Sequence, residues 1–338
     1  MMQALNSRRS RLLLLGVISC VFLSITCFAS LAAGQYSIPI SHVWGALWSN
    51  DSHSIEHVIV TTTRLSRTVV ACAVGAGLAV AGVLMQSLTR NPLASPAIFG
   101  VNGGAVFFIV LVTQFFGLGN LNDAIWIAFA GAAFAGALVY GIGMLGQDGL
   151  SPVRVVLAGA AISALFMSFT QGMLVLGQEG IDSVLFWVAG SVSGRELSVV
   201  LPVLPYIGVS IGVALLLSPH LNILLSGDAI ATGLGQNTAL LKVAVSLLVI
   251  LLAGASVAIA GSIGFIGLIV PHMVRQVVGH RHQWLLAFSA LWGASLLLVA
   301  DIASRLLLAP QEIPIGAMTA IFGAPLFVYL ARKGNAHD

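Results

Sequence analysis

Long apolar runs separated by short polar breaks make up almost the whole chain. Ten windows of roughly membrane-spanning length stand out, at 12–33, 68–88, 97–116, 124–145, 153–176, 199–218, 240–260, 263–278, 284–308 and 314–331. A helix needs about 20 apolar residues to cross the hydrocarbon core, and the eighth window is short by that measure. Apolar and polar residues do not alternate within the runs, which predicts helices and not a barrel. The expectation is an all-α integral membrane protein of about ten transmembrane helices, a single polytopic domain over 1–338.

The stretch Arg64–Gly104 is the one around which the others are arranged. It opens on two arginines, crosses a Gly- and Ala-rich apolar run, breaks at Arg90-Asn91-Pro92 and re-enters apolar sequence through Gly100, Gly103 and Gly104. Its skeleton of Gly75, Ala79, Ala81, Gly82, Pro92 and Gly100 recurs as Gly254, Ala258, Ala260, Gly261, Pro271 and Gly279 at a single offset of 179. This predicts a duplication, with halves at about 64–176 and 240–331. Five spans separate the two starts, so the copies enter the membrane from opposite sides as an inverted repeat. Its Gly- and Pro-broken helices are expected to line a pathway, because interrupted backbone survives in a membrane only where protein or water satisfies it.

Composition agrees: 58% of residues are hydrophobic and 7% charged, against about a quarter charged in soluble domains. With the N-terminus inside, ten of the 14 Lys and Arg face inward, namely Arg8, Arg9, Arg11, Arg90, Arg154, Lys242, Arg275, Arg281, Arg332 and Lys333. Arg64, Arg67, Arg195 and Arg305 face outward, as do all acidic residues except Asp148, Asp228 and Asp338. Both termini are therefore expected on the cytoplasmic side. The net charge of +3 is this inward bias and no sign of nucleic-acid binding. Arg8, Arg9 and Arg11 ahead of Leu12–Ala33 have the charge of a secretory signal, but the run exceeds the roughly 7–15 residues of a signal core, so an uncleaved first span is expected. Cys20, Cys27 and Cys72 lie in apolar runs and read as small packing residues.

In the first outer segment, 34–63, Trp44 and Trp48 read as interface anchors, and His42, His53 and His57 lack the spacing of a metal site. The piece 181–194 is too short to span and reads as an interfacial or re-entrant helix. Leu224–Gln236 on the inner side is either one or two short surface helices or an ordinary polar loop. His280-Arg281-His282 reads as an inner anchor. The central part of every span lacks Asp, Glu, Lys and Arg, which disfavours ion-coupled transport. Neither Lys242 nor Lys333 sits in a G-x-x-x-x-G-K-[ST] loop, and no H-E-x-x-H or G-x-S-x-G is present. If the chain pumps, another subunit must supply the energy.

Several ordered motifs carry a resemblance over nearly the whole chain: Arg64-Leu-Ser-Arg67, Gly82-Val-Leu-Met-Gln-Ser-Leu-Thr-Arg-Asn-Pro-Leu-Ala94, Val156-Leu-Ala-Gly159, Gly261-Ser-Ile-Gly-Phe-Ile-Gly-Leu-Ile-Val-Pro-His272, Ala300-Asp-Ile-Ala-Ser-Arg305 and Glu312-Ile-Pro-Ile-Gly316. Together they resemble the FecCD family, permease subunits of type II ATP-binding cassette (ABC) importers for ferric siderophores, haem and cobalamin. The resemblance implies a bacterial inner-membrane subunit with no enzymatic activity and no cofactor or metal of its own. It implies two ATPase subunits that hold ATP and Mg, an extracytoplasmic binding protein, and a second permease chain, identical or paralogous. Arg64, Arg67 and Arg305 would then dock the binding protein through carboxylates, the alternative being that they cap helix ends or pair with Glu312 and Asp301 in the same chain. Leu225, Ser226, Gly227, Asp228, Ala229, Gly233, Leu234 and Gly235 would form the loop that couples to the ATPase. Asn91, Pro92 and Leu93, with Ser151 and Pro152, would form the cytoplasmic gate; some relatives carry a hydroxyl residue in place of Pro152. Gly82, Gly261 and Pro271 would mark the repeat. An ion-coupled secondary transporter is the reading from another class.

Overall fold

A computed structural model of the chain describes residues 2–34, 36, 38–48, 54–117, 121–145, 151–176 and 187–334. Among them the regular structure is all helical: α1 (Met2–Ala32), α2 (Ile40–Trp48), α3 (Ile55–Val58), a π turn at Ile59–Arg64, α4 (Leu65–Thr89), a 3-10 turn at Pro96–Phe99, α5 (Val101–Phe116), α6 (Leu121–Met144), α7 (Pro152–Leu176), α8 (Leu197–Val200), α9 (Leu204–Leu224), α10 (Asp228–Gly233), α11 (Thr238–Ala260), α12 (Ile266–Val278), α13 (His282–Leu306) and α14 (Ile315–Gly334). Seven described helices are long and apolar enough to cross a membrane, and three shorter apolar ones, Val101–Phe116, Ile266–Val278 and Ile315–Pro325, correspond to the third, eighth and tenth windows.

Boundaries follow local chemistry. The second span is longer than its window, because helix runs unbroken from Ile55 through the π turn to Thr89. It stops where Arg90 takes a left-handed conformation, φ 50°, one residue before the Asn91-Pro92 pair that disfavours further helix. The Asn91 side chain then accepts a hydrogen bond from Leu93 N at 2.9 Å. Pro152 starts α7 at a position where a missing N–H costs nothing. Asn237 caps α11, accepting from Leu240 N at 3.0 Å. The sixth span is displaced inward from its window, to Leu204–Leu224, and keeps Pro219 inside the helix.

Helices α4 and α11 form the centre, with 78% of each apolar window buried against 17% for α1. Close approach is possible because small residues face each other. A side chain on Gly75 would overlap the carbonyl of Gly293 in α13, and one on Gly82 would overlap Gly267 in α12. Gly104 of α5 and Gly131 of α6 exclude each other's side chains in the same way. Cys27 and Cys72 touch across α1 and α4, Sγ to Sγ 3.7 Å, as free thiols.

The central helices pack in two groups. Helix α4 packs on α13 and α12, and α11 packs on α6 and α5; α5 packs on α6 as α12 does on α13. The residue register read from the sequence does not follow that pairing. Gly82 lies inside α4 whereas Gly261 terminates α11 at φ 71°. Pro92 lies in the break after α4, whereas Pro271 lies inside α12. Glycines here are placed by helix crossings, so a Gly- and Ala-rich chain offers matches at an offset that does not superimpose its helices.

At the end that the charge pattern assigns as outer, α2 lies beside the end of α1, with Phe28, Trp44 and Trp48 stacked at 6.1 and 6.4 Å between ring centroids. Both tryptophans are exposed, as interface anchors require. His42 pairs with Glu56; His53 lies outside the described residues. Of the piece 181–194, residues 181–186 also lie outside them. The remainder is tucked inward: Trp187 is buried and its carbonyl accepts from Ser262 N at 2.8 Å. The inner loop at 146–150 with Asp148 and the C-terminal residue Asp338 lie outside the described residues, as do the side chains of Arg8, Arg9, Arg332 and Lys333.

Candidate coupling and translocation sites

At the outer end, the three arginines of the expected rim are buried and turned inward. The last carbonyls of a helix have no partner within it, and α1 ends without a basic residue of its own. Arg64 supplies the missing donors, with Nη1 bonding Leu31 O at 2.8 Å and Ala32 O at 2.7 Å and Nη2 bonding Tyr36 O. Arg305 donates to Ser30 O at 3.0 Å and Ala33 O at 2.8 Å. Asp301, fully buried, lies between Arg67 Nε and Arg305 Nη2 at 2.7 Å from each. Its contact with Arg305 is a close approach of charges more than an aligned hydrogen bond. Arg67 also holds Glu312, at 2.9 Å. Two arginines and two carboxylates thus bind α1, α4, α13 and the turn before α14 to one another. This is the alternative to docking, with the arginines capping a helix end and pairing with Asp301 and Glu312; a buried guanidinium is retained by partners that satisfy it. The fourth outer cation, Arg195, is also buried, lies 4.8 Å over the Trp187 ring and is pulled down to about 10 by loss of solvent.

In the interior, two helices begin part-way through the structure. With 13 residues in α12 and 16 in α5, at about 1.5 Å per residue each is shorter than the roughly 30 Å hydrocarbon core. Their starts are joined: Asn102 Nδ2 donates to Ser262 Oγ at 2.9 Å, and Pro96 packs on Gly267. The left-handed Gly100, φ 70°, and Gly261, φ 71°, provide the changes of direction. Two positive helix ends therefore meet in the interior, beside Gly264, which faces open space. The 3-10 turn rests on α7 through Ile98 O and Gly159. Asn91, Pro92 and Leu93 are exposed below it, as is Pro152, with Ser151 half-buried. No hydrogen bond joins the two groups among the described residues, so the structure brings their helices together but not the residues themselves.

At the inner end, the loop after α9 contains one short helix, α10. Gly227 and Gly235, at φ 110° and 82°, turn the chain into and out of it. Asp228 at its first position is held by Arg90 at 2.7 Å and Lys242 at 2.6 Å, which fixes the helix to the ends of α4 and α11. Partial burial would raise the Asp228 carboxyl, but Lys242 and Arg90 outweigh it and hold the group below the usual carboxylate range. Leu225, Ser226, Ala229, Gly233, Leu234 and Gly235 are exposed. So is Ile230, and with Leu225 and Leu234 it presents apolar side chains to water.

Beside α10 lies a cluster the sequence reading did not identify. His282, taken as part of an anchor, is buried and bonds Ser87 Oγ at 2.7 Å through Nε2 and Asn222 Oδ1 at 2.9 Å through Nδ1. Arg275 Nη2 donates to Gln86 Oε1 at 2.9 Å, and Gln86 Nε2 to Leu268 O at 3.3 Å. The only signal was the polar pair Gln86-Ser87 near the end of an apolar run.

A helical membrane chain with broken interior helices and a clamped short helix at its inner end has the architecture of a transport permease. The profile of the FecCD transport family matches residues 22–333. The chain is 48% identical over 314 residues to the probable siderophore transport system permease protein YfiZ of Bacillus subtilis, covering 93% of this chain and 94% of that one. It is 40% identical to the ferric enterobactin transport system permease protein FepD of Escherichia coli, over 93% of each. Among solved structures, a metal-chelate type ABC transporter in an inward-facing conformation superimposes with a TM-score of 0.82 at 33% identity, covering 93% of this chain and 97% of that one. The chain belongs to the FecCD transport family.

Proposed function

We propose that this chain is the permease subunit of an ABC importer that carries a ferric siderophore across the bacterial inner membrane. The observation that carries this reading is α10: a short helix with exposed apolar side chains, fixed by Arg90 and Lys242 to the two central helices, on a chain with no nucleotide loop of its own. Two ATPase subunits grip α10 in two copies of this chain, or in this chain and a paralogue, and ATP with Mg is held by those subunits. The permease contributes no cofactor and no covalent chemistry. Both termini lie in the cytoplasm.

Force applied at α10 reaches α4 and α11 through Asp228 and shifts the half-helices α5 and α12, which border the pathway. The gate lies where Asn91, Pro92 and Leu93 approach the start of α7 at Ser151 and Pro152. An extracytoplasmic binding protein delivers the solute to an outer surface that Arg64, Arg67 and Arg305 shape from beneath. The relatives' iron chelates favour iron over haem or cobalamin. The grouping of charges at the two ends of the helices disfavours ion-coupled secondary transport. The test is uptake of ferric siderophore into vesicles holding the chain with its ATPase subunit: ATP-dependent entry is expected, and entry driven by a proton or sodium gradient without ATP would overturn the reading.

A further inference from the structure

Between the inner ends of α4, α12 and α13 lies an open cavity of about 500 Å³. Its wall carries Arg90, Arg275, His272, His280 and Gln276, and Leu225 closes the side towards α10. A second hollow shares Leu225 and His280 and adds Arg281. Neither is lined by a carboxylate among the described residues. Arg90 is already committed to Asp228. Arg275 is not: among the described residues its side chain bonds the neutral Gln86 and forms no ion pair. A half-buried guanidinium with open donors on a wall without acids is a receptor for an anion.

We propose that this cavity receives an acidic side chain of the ATPase subunit, whose carboxylate pairs with Arg275. The inference rests on the importer reading above. The occupant follows from charge and from position. Leu225 lines the cavity and lies three residues before α10, so a partner seated on Ile230 and Leu234 also covers the cavity mouth. The contact has a route inward. Arg275 holds Gln86 of α4, and Gln86 holds Leu268 in the first turns of the half-helix α12. A carboxylate that draws Arg275 away from Gln86 loosens the tie between α4 and α12, which gives the ATPase a second grip besides α10.

The test uses the full permease in lipid nanodiscs titrated with its ATPase subunit, comparing wild type with Arg275→Gln. Loss of the pair weakens binding by about tenfold and flattens its dependence on NaCl. Gln276→Glu, exposed at the cavity lip, provides a second variant if the first fails to fold, and repulsion weakens binding there as well. A photo-reactive residue at 276 should trap an ATPase segment containing Asp or Glu. Wild-type affinity and salt dependence in both variants would overturn the inference, as would crosslinks to lipid alone or competition by inorganic phosphate with no protein crosslink. In those cases the importer reading stands. Failure of the wild-type permease to bind the ATPase subunit would remove both.

Discussion

The outer arginine cluster makes a prediction that separates a clasp from a docking rim. Replacing Arg67 with Ala removes the partner of Asp301 and of Glu312. Breaking a buried ion pair from one side costs about 3–5 kcal/mol, because the remaining charge is left without water. Here Asp301 retains Arg305, and Glu312 is 30% exposed and can turn to solvent, so about 3 kcal/mol is expected. Asp301→Ala should cost more, about 5 kcal/mol, because Arg305 is then left with carbonyls and the Ser30 hydroxyl. The R67A/D301A pair should cost less than the sum of the two, since they share one contact. The assay is unfolding of the detergent-purified chain, with no binding protein present. If R67A unfolds like wild type while affinity for the binding protein collapses, the clasp account is wrong and Arg67 is a docking residue.

Three further outcomes follow from the packing and the inner clamp. Gly75→Val places a side chain on the Gly293 carbonyl and should destabilise by about 3 kcal/mol, at the upper end for overpacking, whereas Gly212→Ala in α9, with open space around it, should be neutral or slightly stabilising in the same thermal assay. Asp228→Asn should leave folding nearly intact, since the pairs are partly exposed and worth under about 1 kcal/mol each, yet ATP hydrolysis measured in vesicles should continue with reduced uptake. Because the Asp228 carboxyl is held low, the clamp is fully present above the ordinary carboxylate range and is lost as pH falls through its depressed value; the protection of the α10 amides, measured against their intrinsic exchange rate at each pH, should fall only on acidification and should be independent of pH in D228N.

Much of the fold was legible because membrane helices announce themselves by apolar length. The ten windows correspond to the seven long and three shorter apolar helices among the described residues, and Asn91-Pro92 and Ser151-Pro152 mark breaks through local chemistry alone; the cap at Asn237 emerged only from the structure. The short helix α10 was legible as one of two readings, and its clamp only from the structure, since Arg90 and Lys242 are distant in sequence from Asp228. The residues matched at the offset of 179 occupy different places in their helices, because glycine positions report helix crossings such as Gly75 with Gly293. The direction of the arginines was legible only as one of two readings: charge counting places Arg64, Arg67 and Arg305 at the outer end, where docking and internal capping or pairing were both open, and the unsatisfied carbonyls of α1 and the buried Asp301 draw them inward.

The most direct test of the account is to reconstitute the chain with its ATPase subunit and a ferric-siderophore-loaded binding protein, and to follow iron entry into sealed vesicles. Iron should accumulate with ATP and the binding protein together and should cease when the ATPase is inactivated. Accumulation that persists without ATP and follows an imposed ion gradient would contradict it.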